Sequence, residues 1–279
     1  MIELTSIDDI SIISDWAELN VIYYNTTLSK AKLVSLLEDN GYEEDVDYRG
    51  DEIFDSIIQE LEKRKYLYGN TPPYTITNSI ISPLINWNDY PEYLLCLIFS
   101  YMGAANANDG TSLFEQVSNV ALKSYLNGEA ITVGFPNAGN LPAQLDSIGT
   151  ALNEDRSDKN PPAHAKDRGV DVIGWSSFGD NRKGQIIILM QCAAGRNWNL
   201  KKQIMVDVWS QYINWNFYTT IPSIAITEIL PTKKWSDAVE TYGIIFDRAR
   251  IYRCLYKPNA SINPTLRAGV IQWCDNRLN

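Results

Sequence analysis

The chain has 279 residues, 45% of them hydrophobic and 11% aromatic, enough to build the buried core of one large domain or two smaller ones. Its longest apolar runs, such as residues 93–99, fall short of the roughly 18 to 20 residues that span a bilayer, and Met1-Ile2-Glu3 lacks the basic start of a secretory leader. A cytoplasmic protein without membrane segments is the expectation.

The net charge of −10 is spread unevenly: residues 1–160 carry 9 Lys/Arg against 25 Asp/Glu, and residues 161–279 carry 15 against 9. The C-terminal part is suited to attract a polyanion and the N-terminal part to repel one. Cys96, Cys192, Cys254 and Cys274 form no CxxC pair and accompany a single histidine, His164, so reduced thiols are expected rather than a zinc site or a disulfide framework. A lone histidine in a Pro161-Pro162-Ala163-His164 loop also gives little basis for Ser-His or Cys-His catalysis, although it is placed to meet a phosphate.

Taken in chain order, residues 28–37 have apolar residues at helical spacing behind a Ser29 cap, with Gly41 as the stop. Residues 51–65 repeat the pattern with Ile53, Phe54, Ile57, Ile58 and Leu61 on one side. Residues 66–68 and 74–77 then read as a hairpin around the turn 69–73. Helix, helix, hairpin resembles a winged-helix module, assigned to residues 1–85. Glu43, Glu44, Asp45, Asp47, Asp51 and Glu52 make it acidic, and Lys63-Arg64-Lys65 is its one cationic cluster, so a protein partner is expected here rather than DNA.

Residues 93–102, 112–126 and 141–152 read as helices and 130–134 as a strand, with the linker 106–111 capping the helix at Ser112. Beyond Asn160 the pattern is strand, strand, helix, strand, helix, strand and a tail containing Trp273. Residues 224–229 and 243–251 are the later strands, and Asp247 with Arg248 or Arg250 is expected to form a structural ion pair or a backbone-phosphate contact. Trp198, Trp209, Trp215, Trp235 and Trp273 offer either a base-stacking platform or core packing.

The richest stretch is residues 166–175 followed, after Gly179-Asp180-Asn181, by residues 185–193, read as two adjacent strands. An aspartate inside an apolar strand is costly without a cation or hydrogen bonds, which makes Asp171 a candidate metal ligand or a strand-end group capping backbone amides. Gln191 ends the second apolar run and needs a partner. Glu154 and Asp155 are reserve carboxylates or a solvated helix end. Lys166 and Arg168 flank the approach, and Gly195-Arg196-Asn197-Trp198 reads as a turn into a helix whose N-terminus can take an anion.

These residues resemble the PD-(D/E)xK nuclease superfamily, Mrr-like restriction branch, in which a Gly-x-Asp strand precedes a strand ending Gln-x-Lys and a helix contributes a glutamate. Gly169-Val170-Asp171, Gln191-Cys192-Ala193 and Glu115 within residues 112–117 are the matching elements, over about residues 110–255. The resemblance implies a restriction-endonuclease-like α/β domain, a mixed sheet flanked by helices, over residues 86–279. It further implies Mg²⁺ or Mn²⁺ held by Glu115, Asp171 and Gln191, DNA phosphodiester hydrolysis, and phosphate contacts from Lys166, Arg168 and Arg196. A prokaryotic restriction or antiphage defence role follows, with an ATPase, helicase or other defence subunit as partner of the acidic N-terminal part and homo-oligomerisation open.

The chain departs from the pattern at Ala193, where the family has its catalytic lysine. Either Lys201 or Lys202, on the helix expected to begin near Asn197, replaces it, or the chain is a catalytically inactive nuclease-fold adaptor that binds nucleic acid or a partner protein. A winged-helix transcription regulator is a third reading, at odds with the acidic N-terminal segment.

Overall fold

Helix α1 (Ile10–Tyr23) is capped by the Asp9 carboxylate, which accepts from the backbone N–H of Ser11 and Ile12. It is buried along ten consecutive residues, Asp15, Glu18 and Asn20 among them, so it carries no one-sided apolar stripe. The computed structural model describes residues 2–4, 9–39, 46–105, 108–133, 141–162, 168–216, 219–258 and 260–279. Helix α2 (Lys30–Asp39) starts at Ser29, whose hydroxyl accepts from the Lys32 N–H at 3.4 Å, as expected. The expected stop at Gly41 and the acidic residues 43–45 lie outside the described residues.

Helix α3 (Val46–Leu67) runs through Tyr66 and Leu67, which had been assigned to a strand. The hairpin lies one segment later: β1 (Tyr74–Thr77) pairs antiparallel with β2 (Ile80–Pro83). Asn78 (φ 50°) and Ser79 (φ 58°) make its turn with both central residues left-handed, the geometry that matches strand twist. Asn-Ser is a weaker signal for that turn than Asn-Gly, and the Gly69 and Pro72-Pro73 signals mark only the exit from α3.

Next come α4 (Pro91–Met102), α5 (Asn108–Leu126), β3 (Glu129–Thr132), α6 (Leu141–Leu152) and β4 (Asp155–Arg156). Residues 108–111, expected as a capping linker, instead form the first turn of α5. Gly110 is required there because a Cβ would sit 2.4 Å from the Trp273 ring. The remaining elements are β5 (Val172–Ser176), β6 (Ile186–Ala193), α7 (Val206–Trp209), β7 (Ile213–Asn214), β8 (Ile221–Ile226), α8 (Thr232–Tyr242), β9 (Ile244–Phe246), α9 (Arg248–Leu255) and α10 (Pro264–Leu278). Residues 248–251 are therefore helical rather than strand. Asp247 ends β9 and caps α9 by accepting from Arg250 N at 3.0 Å. The Trp273 tail is α10.

The main sheet has the order β3-β5-β6-β8-β9. The pairs β3–β5 and β5–β6 are antiparallel, while β6–β8 and β8–β9 are parallel. Helix α5 covers one face so closely that a Cβ on Gly174 would lie 2.6 Å from Leu122. Leu145 and Ile148 of α6 pack with Ile173 and Leu189 in a second core. The expected coarse architecture, a mixed α/β sheet flanked by helices, is present. Successive β6 residues alternate between cores, Ile188, Met190 and Cys192 in one and Ile187 and Leu189 in the other, so the strand is buried on both faces. All four cysteines are unpaired. No helix among the described residues is long and apolar enough to cross a membrane.

Elements on both sides of residue 85 meet at a buried charge cluster. Asp15 and Glu18 of α1 face Arg64 of α3 and Arg248 of α9, with Arg64 Nη1 and Arg248 Nη2 at 2.6 and 2.7 Å from Asp15 Oδ1. Both guanidiniums also reach Glu18 Oε2, at 3.5 and 3.3 Å. Tyr68 and Tyr93 donate to Glu18 Oε1, and Ser100 donates to Asp15 Oδ2. Arg248 thus pairs with α1 rather than with its neighbour Asp247. Burial acts to raise the Asp15 pKa, but the Arg248 and Arg64 charges outweigh it and hold the carboxyl below its usual range.

Among the fully buried groups two anions face two cations, with Glu60 Oε1 also 3.0 Å from Arg64 Nε, so removing Arg248 leaves buried carboxylate charge uncompensated. Arg248→Met is expected to cost about 3–5 kcal/mol in urea unfolding; a loss below about 1 kcal/mol would contradict this role. The depressed Asp15 pKa adds stability above its unfolded value, and that increment is lost as pH falls through the folded value.

Candidate functional site

The approach to β5 is a tight turn in which Arg168 (φ 56°) and Gly169 (φ 81°) are both left-handed. Glycine fits the second position for two reasons: the backbone favours it, and an added Cβ would lie 3.1 Å from Gln191 Nε2. Lys166 and His164 lie outside the described residues.

Val172 is the register partner of Met190, yet the Asp171 N–H also donates to the Met190 carbonyl at 2.9 Å. Two residues of one strand thus oppose one of the other, as in a β-bulge. The ladder is completed by a side chain, since Asp171 Oδ2 accepts from the Cys192 N–H at 2.6 Å. Asp171 therefore has the amide-capping role that was one of its two expected readings. Next to it, Gln191 is 7% exposed, and its Oε1 is buried without a hydrogen-bond partner among the described residues.

The Cys192 thiol reports which charges converge here. Burial raises its pKa well above the usual thiol value; the Asp171 and Glu115 charges add to that, and the Lys201 charge opposes it. Of these groups, Asp171 is tied directly to this end of β6, through the Cys192 N–H. Glu115 comes from α5, one turn before Ser118. Among the described residues, no three His, Cys, Asp or Glu side chains converge as metal ligands, so a cation here would depend on the amide oxygen of Gln191 as well as on carboxylates.

Lys201 does not lie on a helix, contrary to expectation. Trp198–Leu200 is a single 3₁₀ turn, and Lys201 and Lys202 follow it, both exposed. The Tyr242 hydroxyl, 3.0 Å from the carbonyls of Asn199 and Lys201, holds this turn against α8. Ala193 is 2% exposed and packs with Trp198 and Tyr242. A lysine there would bury its ammonium in an apolar cluster, which accounts for the small residue at that position.

Other candidates are tied elsewhere. Arg196 Nε donates to the Ser100 carbonyl at 2.9 Å, and its guanidinium lies 6.0 Å from the Tyr101 ring centroid; Arg168 is exposed. Glu154 is buried rather than a solvated helix end, accepting from Asn216 N and Nδ2 at 2.9 and 2.7 Å, while Asp155 pairs with Lys183. Trp198 and Trp209 are core residues, and Trp273 packs on Phe99 with ring centroids 5.0 Å apart, so these indoles form no base-stacking platform.

Glu228 is a titratable group that the sequence reading passed over. It lines a cavity of about 440 Å³ with Asp15, Ser100, Arg196 and Trp198, and accepts from the Trp198 indole N–H. A glutamate next to the apolar run of β8 carries the same signal that singled out Asp171. Comparison with models of protein families, with curated proteins and with solved structures finds no match to this chain.

Burial, reinforced by the Asp15 charge, pushes the Glu228 carboxyl up to about 7 from 4.5. The folded protein therefore holds a proton that the unfolded chain releases, and this contribution to stability is lost as pH rises from about 4.5 through about 7. Glu228→Gln should flatten the dependence of Tm on pH across that window and raise Tm at pH above it. Equal slopes in the two proteins would contradict the assignment.

Proposed function

We propose that the chain is a Mg²⁺- or Mn²⁺-dependent DNA endonuclease of the PD-(D/E)xK type, Mrr-like branch, serving as the effector of a prokaryotic restriction or antiphage defence system. The observation that carries this reading is the buried Gln191 Oε1, without a hydrogen-bond partner among the described residues, on the strand whose Cys192 N–H holds the Asp171 carboxylate. The Gly-x-Asp segment leads directly into β5, Gln191 lies on its antiparallel neighbour β6, and Glu115 lies on the earlier helix α5, in keeping with the resemblance. In this reading residues 86–279 have the restriction-endonuclease-like fold and residues 1–85 are a winged-helix-like module that receives an ATPase, helicase or similar subunit.

In this reading the Asp171 and Glu115 carboxylates and the Gln191 amide oxygen, which has no hydrogen-bond partner among the described residues, would hold a hard divalent cation. Bound there, the cation would supply Lewis acidity and a water of lowered pKa. Asp171 Oδ2 is held by the Cys192 N–H, which fixes the orientation of the carboxylate. Lys201, steadied through its carbonyl by Tyr242, offsets charge at the scissile phosphate. Arg168 and Lys166, with the Arg196 guanidinium beyond its Nε bond to the Ser100 carbonyl, would meet the phosphate backbone, giving binding that weakens with salt.

Ala193 favours one other reading, a nuclease-fold adaptor without catalysis. Purified protein should cut plasmid DNA with Mg²⁺ or Mn²⁺ and not with EDTA. Asp171→Ala and Lys201→Ala should each slow cutting by about 100-fold or more. Retained cutting in Asp171→Ala would overturn the site, whereas salt-sensitive DNA binding with no metal-dependent cutting by the wild type would favour the adaptor.

A further inference from the structure

A second cavity, of about 720 Å³, opens between the turn after α3, the end of α5, β9 and α9. Its size lies within the range of about 300–1,000 Å³ typical of small-ligand sites. It is separate from the candidate metal centre: Tyr125, on its wall, lies ten residues beyond Glu115 on α5, about 15 Å along the helix.

The chemistry of the lining is one-sided. Tyr125 is 53% exposed and stands edge-on to Phe246, with ring centroids 5.3 Å apart, leaving an aromatic face toward the opening. Arg250, Arg253 and Lys257 approach from α9 and the residues after it, at the three- and four-residue spacing that puts side chains on one helix face. No aspartate or glutamate is among the described residues lining the cavity, although acidic residues outnumber basic ones 34 to 24 in the chain. Arg250 and Lys257 make their side-chain hydrogen bonds to neutral groups, although the Asp247 carboxylate also acts on Arg250. Arg250 lies over the Trp235 ring at 4.4 Å and donates to the Ile245 carbonyl, and Lys257 donates to the Ser124 carbonyl. Arg253 runs along the Gly69 turn, its Nε 3.6 Å from where a Cβ on Gly69 would stand.

We propose that this cavity binds a nucleotide, with the base against Tyr125 and the phosphate against Arg253 and Lys257. Aromatic faces accept any base, and cations in a lining that holds no carboxylate among the described residues favour phosphate oxygens. The nucleotide is either free or part of a strand passing over the cavity. The site needs no metal and stands whether or not the proposed cleavage does.

Equilibrium dialysis of the full chain with ATP in EDTA tests it, with oligothymidylate as the second probe. Saturable binding of one ATP per chain is expected, weakened about tenfold by Tyr125→Ala and by Arg253→Gln/Lys257→Gln. All three residues are exposed, so the variants should keep the wild-type Tm, which separates lost contacts from lost fold. Oligothymidylate binding without ATP binding, weakened by the same variants, would support the site with a strand as its occupant. Failure of both probes to bind at millimolar concentration, or binding that the variants leave unchanged, would overturn the proposal.

Discussion

Asp15, Glu18, Arg64 and Arg248 form the interaction on which the rest of the molecule depends, because four charges taken out of water hold only if every one stays paired. Three helices supply the charges and a fourth, α4, adds Tyr93 and Ser100, which occupy remaining carboxylate positions. The cluster reaches the candidate site in one further step. Ser100 donates its hydroxyl to Asp15 and accepts Arg196 at its carbonyl, and Arg196 lies in the segment that leads from β6 to Lys201. The same arrangement places Glu228 beside Asp15, where a second ionised carboxylate is disfavoured.

The site itself is shaped by the burial of β6. A strand covered on both faces leaves no room for an ammonium at position 193, which is filled by Ala193 beneath Trp198. The cation that acts on this strand end comes from an exposed residue beyond the 3₁₀ turn. Cys192, at the centre, remains a thiol because burial and two carboxylates all oppose ionisation.

Segments with a clear period and ordinary length were legible in the sequence. The helices α4 and α6 and the strand β6 lie close to their expected positions, α5 differs at its start, and β5 begins at Val172 rather than at residue 166. Signals failed where tertiary contacts decide. Helix α1 is buried all round, with its acids neutralised by arginines 49 and 233 residues from Asp15, so neither its burial nor its pairing has a local signature. The β9 to α9 boundary turns on one side chain, Asp247, which looks like a strand residue until it accepts from Arg250 N. Lys201 was named from its distance in sequence, but its short 3₁₀ support depends on Tyr242, some forty residues away.

The central claim is that Asp171, Glu115 and Gln191 hold a divalent cation, and Mn²⁺ binding followed by electron paramagnetic resonance addresses it without relying on substrate or partner. Asp171→Asn keeps an oxygen to accept from the Cys192 N–H while removing the negative charge, so the fold should persist. The account predicts stoichiometric Mn²⁺ binding by the wild type that is lost in Asp171→Asn at unchanged Tm. Equal Mn²⁺ binding by the two proteins, or none by the wild type at millimolar metal, would contradict it.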